Sequence, residues 1–171
     1  MAKVSIIIAL LLIATWHSSP AAAQTSGTAS ALLITPITIA KNIDMSFGNI
    51  AVSSTTSGTV ILSPSGLRTT GGAGGVTLPA ATGTVTAADF TVSGQGGYTY
   101  TVTLPASASI SDGSGHSMTI NSFTSSPSVT GTLSTGGTQP LTVGATLTLS
   151  AGQTPGSYTN ATAVAVTVNY N

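Results

Sequence analysis

Asp112, Ser114, His116 and Ser117 gather an acid, an imidazole and two hydroxyls within a few residues. Those types could supply a nucleophilic serine, its base and the acid that orients the base. Such a triad needs a buried carboxylate and oxyanion donors, usually brought from distant segments. Here Gly113 and Gly115 interleave the set, and Asp and Ser in that setting favour a turn. The pattern predicts a turn, and no catalytic residue is assigned. Asp44, Asp89 and Asp112 lie far apart in the sequence, which makes no zinc or calcium ligand set. The glycines of Gly71–Gly75 match neither phosphate-cradling pattern, and no helical pattern follows them. Tyr98 and Tyr100 share a strand face. They read as caps on a core more readily than as a sugar-stacking pair. Asn160-Ala161-Thr162 fits a glycosylation acceptor but falls inside an expected strand, so it is treated as chance. No cofactor is expected.

Composition narrows the classes further. The 171 residues include three Lys+Arg, three Asp+Glu, two His and no Cys. Charged residues make up 4% of the chain, against about 25% in an average soluble domain. Three basic residues cannot neutralise a run of phosphates, which argues against nucleic-acid binding. Without Cys there is no disulfide framework and no thiolate chemistry. Disorder of the whole chain is disfavoured by 41% hydrophobic residues and zero net charge.

The elements that must carry any function begin with an address. Lys3 precedes the apolar run Ile6–Ala14, and small residues lead to a cut after Ala23. That is the layout of a cleaved secretory signal peptide. The apolar run is too short for a membrane span, and no span is expected in the mature chain. Beyond it, period-2 alternation recurs and helical periodicity does not. The runs are Ile37–Ile39, Thr59–Leu62, Phe90–Val92, Tyr98–Leu104, Met118–Phe123, Leu141–Val143, Thr146–Leu149 and Tyr158–Tyr170. Gly and Pro clusters such as Ser63-Pro64-Ser65-Gly66 and Gly94-Gln95-Gly96-Gly97 punctuate them. Short alternating strands between turns predict an all-β, antiparallel sandwich.

Isolated β domains protect their sheet edges with charge, and this chain has almost none. Its edges are either covered or meant to be paired. At the C-terminal end, Tyr158, Val164, Val166, Val168 and Tyr170 share one face of an expected strand, with small or polar residues on the other. At the N-terminal end, the polar leader Gln24–Ser30 runs into the apolar stretch Ala31–Ala40. Leu33, Thr35, Ile37 and Ile39 share one face of it. Pro36 marks an edge or a break. This stretch is either the domain's own first strand or a strand offered to another molecule.

A series of landmarks runs in order through the chain: Asp44-Met45-Ser46-Phe47-Gly48-Asn49-Ile50, Gly58-Thr59-Val60, Ala87-Ala88-Asp89-Phe90-Thr91-Val92-Ser93-Gly94, Pro155-Gly156-Ser157-Tyr158 and Val166–Asn171. On these landmarks the chain resembles the DUF4402 family of exported bacterial proteins from about Pro36 to Asn171. At a second level it looks like a chaperone–usher pilus subunit, particularly the spore-coat-U-like branch. Such subunits share the P-G-x-Y turn, the Val/Thr last strand and the penultimate aromatic, here Tyr170. Many pilins carry a disulfide near the start of the domain, which this chain lacks. The resemblance implies an Ig-like β-sandwich, complete or one strand short, that exchanges strands with its neighbours. It implies as partners copies of the chain or related subunits, a periplasmic chaperone and an outer-membrane usher. Burying four aliphatic side chains of a donated strand would yield roughly 6–12 kcal/mol before ordering costs.

The expected organisation is a signal peptide at 1–23, a flexible leader and candidate donor strand at 24–40, and an Ig-like β-sandwich at 41–171. The expected function is a non-catalytic structural subunit of an exported surface fibre or coat. Leu33, Thr35, Ile37 and Ile39 would be donated, and Tyr158, Val164, Val166, Val168 and Tyr170 would form a groove edge and chaperone contact. The expected location is the periplasm in transit, then the cell surface or the extracellular space. The alternative is a monomeric secreted adhesin or binding module that reads glycan or protein through its loops.

Overall fold

A computed structural model of the chain describes residues 22–171. The expected signal peptide falls almost entirely outside them. The described residues are all-β, and no helix among them is long and apolar enough to cross a membrane. Residues 22–33 carry no strand, and residues 34–171 form one compact unit.

Fourteen strands follow in order. The first seven are β1 (Thr38–Ile43), β2 (Ser46–Phe47), β3 (Ala51–Val52), β4 (Gly58–Leu62), β5 (Arg68–Gly71), β6 (Val76–Thr77) and β7 (Val85–Thr86). Then come β8 (Ala88–Ser93), β9 (Thr99–Thr103), β10 (Ser107–Ser111), β11 (Ser117–Ser126), β12 (Thr130–Thr132), β13 (Thr138–Leu149) and β14 (Thr167–Tyr170).

The organising element is β13. Its edge from Thr142 to Thr148 pairs with β11, which in turn pairs with β10. Its other edge is shared. Thr138–Val143 pair with β8, which carries β1, and Ala145–Leu149 pair with β4, which carries β5. Seven strands thus form one antiparallel sheet. A second sheet has the order β12-β9-β14, and β2–β7 and β3–β6 are two-stranded ladders.

Gly144 lies where β13 changes partner. A Cβ there would collide with the Leu62 carbonyl and with Ser63, so only glycine lets the β4–β5 turn come this close. The sequence suggested two short runs flanking Gly144. The structure instead carries one strand through it, because glycine here serves close approach and not termination.

Alternation sets which side chains go in. Gly58, Val60 and Leu62 of β4 are buried, as are Ala88, Phe90 and Val92 of β8. Two apolar clusters result. The first gathers Phe47, Val60, Leu62, Ile120, Ala145, Leu147 and Leu149. The second gathers Phe90, Val92, Tyr100, Val102, Leu141, Val143 and Val168. In the second, residues of β8 and β13 face residues of β9 and β14, so the large and the three-stranded sheet pack on each other. Over the first, the covering elements are the two short ladders and the chain around Ala163.

Candidate functional site

The Asp112 carboxylate closes the β10–β11 turn. It accepts the Ser114 N–H at 2.8 Å, the His116 N–H at 3.1 Å and the His116 ring Nδ1–H at 2.6 Å. The His116 bond first, then the Ser114 N–H, hold the Asp112 carboxyl below its ordinary pKa. Among the described residues no serine hydroxyl bonds to His116, and no three His, Asp or Glu side chains come together as metal ligands. The arrangement knits a turn.

The larger feature is a groove of about 1160 Å³. One wall is the chain from Asp44 to Val52; among the described residues its strand pairing is through β2 and β3, and the Asn49 N–H also donates to the Thr82 carbonyl at 2.7 Å. Arg68 of β5 clips this wall by donating to the Phe47 carbonyl and, at 2.8 Å, to the Asn49 carbonyl. The other wall is the chain from Gln153 to Val164. It hangs from β10 and β11. Ser111 and Thr159 exchange N–H···O bonds of 3.2 and 2.9 Å, and Asn160 Nδ2 donates to the Ser109 carbonyl at 2.8 Å. Gln153 Nε2 donates to the Ser117 carbonyl at 3.3 Å and to the Tyr158 hydroxyl at 3.0 Å. Tyr158 in turn donates to the Thr154 carbonyl at 2.7 Å. The floor is apolar: Ile110, Met118, Ile120, Leu147 and Leu149. Its volume exceeds the roughly 300–1,000 Å³ of small-molecule sites.

The residues singled out in the sequence separate into three places. Leu33 is 98% exposed. Thr35 is held at its backbone: its carbonyl accepts the Tyr170 hydroxyl at 2.8 Å, and its N–H donates to Gln95 Oε1 at 3.3 Å. Ile37 and Ile39 pack against the chain's own second cluster. β1 begins at Thr38, inside the stretch assigned to the leader, with Ile39 opposite Val92.

The expected C-terminal strand is corrected. It runs only from Thr167 to Tyr170, not from Tyr158. Asn160 breaks it, because its side-chain oxygen accepts the Thr162 N–H at 2.9 Å and its carbonyl accepts the Ala163 N–H. Such local bonds compete with a ladder. Tyr158 therefore sits apart from Val168 and Tyr170. Those two pair with Val102 and Tyr100, while Val164 and Val166 are half-buried between. The Tyr170 hydroxyl also accepts the Gln95 N–H, and its ring meets Tyr98 edge-on at 5.8 Å. Tyr100 is buried and donates to Gln139 at 2.9 Å, and burial raises its pKa.

Sequence reasoning missed the groove floor and Arg68. The one available signal was that Arg68, the sole arginine, stands in a chain nearly free of charge.

The family model for DUF4402, a domain of unknown function, matches residues 37–170. The chain belongs to the DUF4402 family. The DUF4402 match takes in all fourteen strands and both walls of the groove, and it starts at Ile37, where the chain first packs into a core cluster. No curated protein and no solved structure matches the chain.

Proposed function

We propose that this DUF4402 chain is a non-catalytic structural subunit of an exported surface fibre or coat, joined by strand donation between copies. On this reading the fold is an Ig-like sandwich whose second layer is one strand short, and the groove is the place of the missing strand. The observation that carries it is the open apolar floor between two walls that do not pair with each other. An extended segment would satisfy backbone groups on both walls and fill the floor with every second side chain. The near absence of charge suits a surface that meets copies of itself. A head-to-tail contact of this kind does not close, so it gives a fibre. Export, a periplasmic chaperone and an outer-membrane usher belong to the same proposal.

The donor would be the stretch around Leu33, since Ile37 and Ile39 are already taken by the chain's own cluster. The full chain, expressed with export to a periplasm, should give multimers that survive SDS until heated. Leu33→Asp should leave monomers. Unchanged multimers in that variant refute this donor assignment, and a full chain that is monomeric at all concentrations refutes the fibre reading. The monomeric binding module is the second reading. It is favoured by β1, which pairs with β8 of its own chain.

A further inference from the structure

We propose that residues 161–166 are the pairing edge for the incoming strand, and that they change from coil to strand, extending β14 backwards, when the Gln24–Thr35 segment of a second copy enters the groove. This rests on the strand-acceptance reading above.

The first observation is a conflict between pattern and structure. Thr162, Val164, Val166, Val168 and Tyr170 alternate with Ala161, Ala163, Ala165, Thr167 and Asn169, a strand sequence without a break. Only its last four-residue section, Thr167–Tyr170, is strand. Upstream, Ala163 is buried although it belongs to the opposite face from the buried Val168. Val164 and Val166 pack against the same cluster as Val168, so the inward parity persists back to Val164 and breaks only at Ala163, although the ladder stops at Thr167. The second observation is the backbone. Among the described residues, Ala161 and Val164–Val166 make no backbone–backbone bond, and Ala163 bonds only within the Asn160 turn. The third is position. Ala161, Ala163 and Val164 line the groove. Strand pairing there would replace one local turn with ladder bonds and keep Val164 and Val166 on the face of Val168.

The occupant follows from chemistry and direction. The groove floor is apolar, and the charges at its rim, Lys41 and Asp44, bond each other. Gln24–Thr35 carries no charged residue and exposes Leu32 and Leu33. The chain enters its domain where Thr35 meets Tyr170 and Gln95, beside Ser93 and the Thr138 end of β13. The groove floor includes Leu147 and Leu149, at the other end of β13. At about 3.3 Å per residue the two ends lie roughly 35 Å apart. A fold-back from Thr35 to that far end would take up nearly all of Gln24–Thr35. Leu32 and Leu33 stay exposed on their own chain, which leaves them for a second copy stacked head to tail.

The test uses the full chain, which has no native cysteine. Leu33→Cys with Ala161→Cys is oxidised and run on denaturing gels, with Leu33→Cys plus Thr70→Cys as the control on β5. Hydrogen exchange at amides 161–166 is compared between multimers and the Leu33→Asp chain. The expected result is a ladder of disulfide-linked multimers for the first pair alone, and exchange at 161–166 slowed about tenfold or more in multimers. A fast-running cross-linked monomer would mean the segment fills its own groove and would overturn the choice of occupant. Cross-linked multimers with unchanged exchange would overturn the coil-to-strand step and leave strand acceptance standing. Equal protection in the Leu33→Asp chain would overturn it too, because the edge would already be formed. Multimers without this cross-link would place the contact elsewhere, and no multimers at all would remove the fibre reading along with this one.

Discussion

The two apolar clusters sit on one long strand, β13, yet they are covered differently. Around Tyr100 and Val143, the large sheet is roofed by three paired strands, β12-β9-β14. Around Leu147 and Ile120, the roof is two ladders of two-residue strands and a bonded turn, with a groove between. One half has its ladder bonds and its apolar filling together. The other has the filling under ladders only two residues long. The lesson is that a single strand can belong to a finished core at one end and an unfinished one at the other, with Gly144 marking the change of partner.

The largest expected effect breaks the finished half. Tyr100 is fully buried, bonds Gln139 and lies over Gly131. Tyr100→Ala should cost about 3–5 kcal/mol in denaturant unfolding, through lost burial and an unfilled cavity. Met118, half-buried on the groove floor, is the matched position in the other half. Met118→Ala should cost about 1 kcal/mol or less, because its side chain is already partly in water, while weakening assembly more than Tyr100→Phe does. Equal losses at the two sites would mean that the halves are equally well covered, and the contrast would fail.

A smaller effect sharpens the contrast at the groove wall. Arg68→Gln leaves the Phe47 and Asn49 carbonyls without their donor and should cost about 1.5–3 kcal/mol, the range for hydrogen bonds from a charged group. Lys41→Gln removes an equally visible charge, but the Lys41–Asp44 pair is exposed on both sides. Its loss should cost about 0–1 kcal/mol. Thermal unfolding of both variants checks the ranking. If Lys41 matters as much as Arg68, the wall is not held by the guanidinium clip.

Much of the finished half was legible in the sequence. Alternation in Phe90–Val92 and Tyr98–Leu104 places the strands and their inward faces, and Gly/Pro clusters place the turns. Valine at every second position also makes Val168 a core residue. What was not legible depends on competition between local bonds. The alternation of Tyr158–Tyr170 says strand throughout. The Asn160 side chain offers its neighbours a different partner, and with no strand among the described residues paired to 161–166 the turn wins. Ile37 and Ile39 were ambiguous for a related reason. An apolar alternating run looks the same whether its partner is β8 of the same chain or the edge of another. The Asp112 turn was readable because glycine and aspartate act over a few residues. The groove was not, because its floor is assembled from β10, β11 and β13.

The smallest effect concerns acid, and it too should fall on the unfinished half. The Asp112 turn packs beside the Gln153–Val164 wall, where a Cβ at Gly156 would meet the Asp112 Cβ at 3.7 Å. The His116 ring N–H, then the Ser114 N–H, hold the Asp112 carboxyl below its ordinary range. A carboxyl with a depressed folded pKa stabilises the fold above its unfolded value, about 3.9, and that contribution is lost as pH falls through the folded value. Asp112→Asn should therefore lower Tm slightly near neutral pH, and the gap to the natural chain should close as pH drops below about 4. Hydrogen exchange should show the loosening at Ser111 and Thr159, whose mutual bonds join the turn to the wall, and not in β9. A Tm gap that stays constant down to about pH 2 would mean that the ionised carboxylate is not what closes the turn. Loosening spread evenly over both clusters would mean that the two halves respond to acid as one.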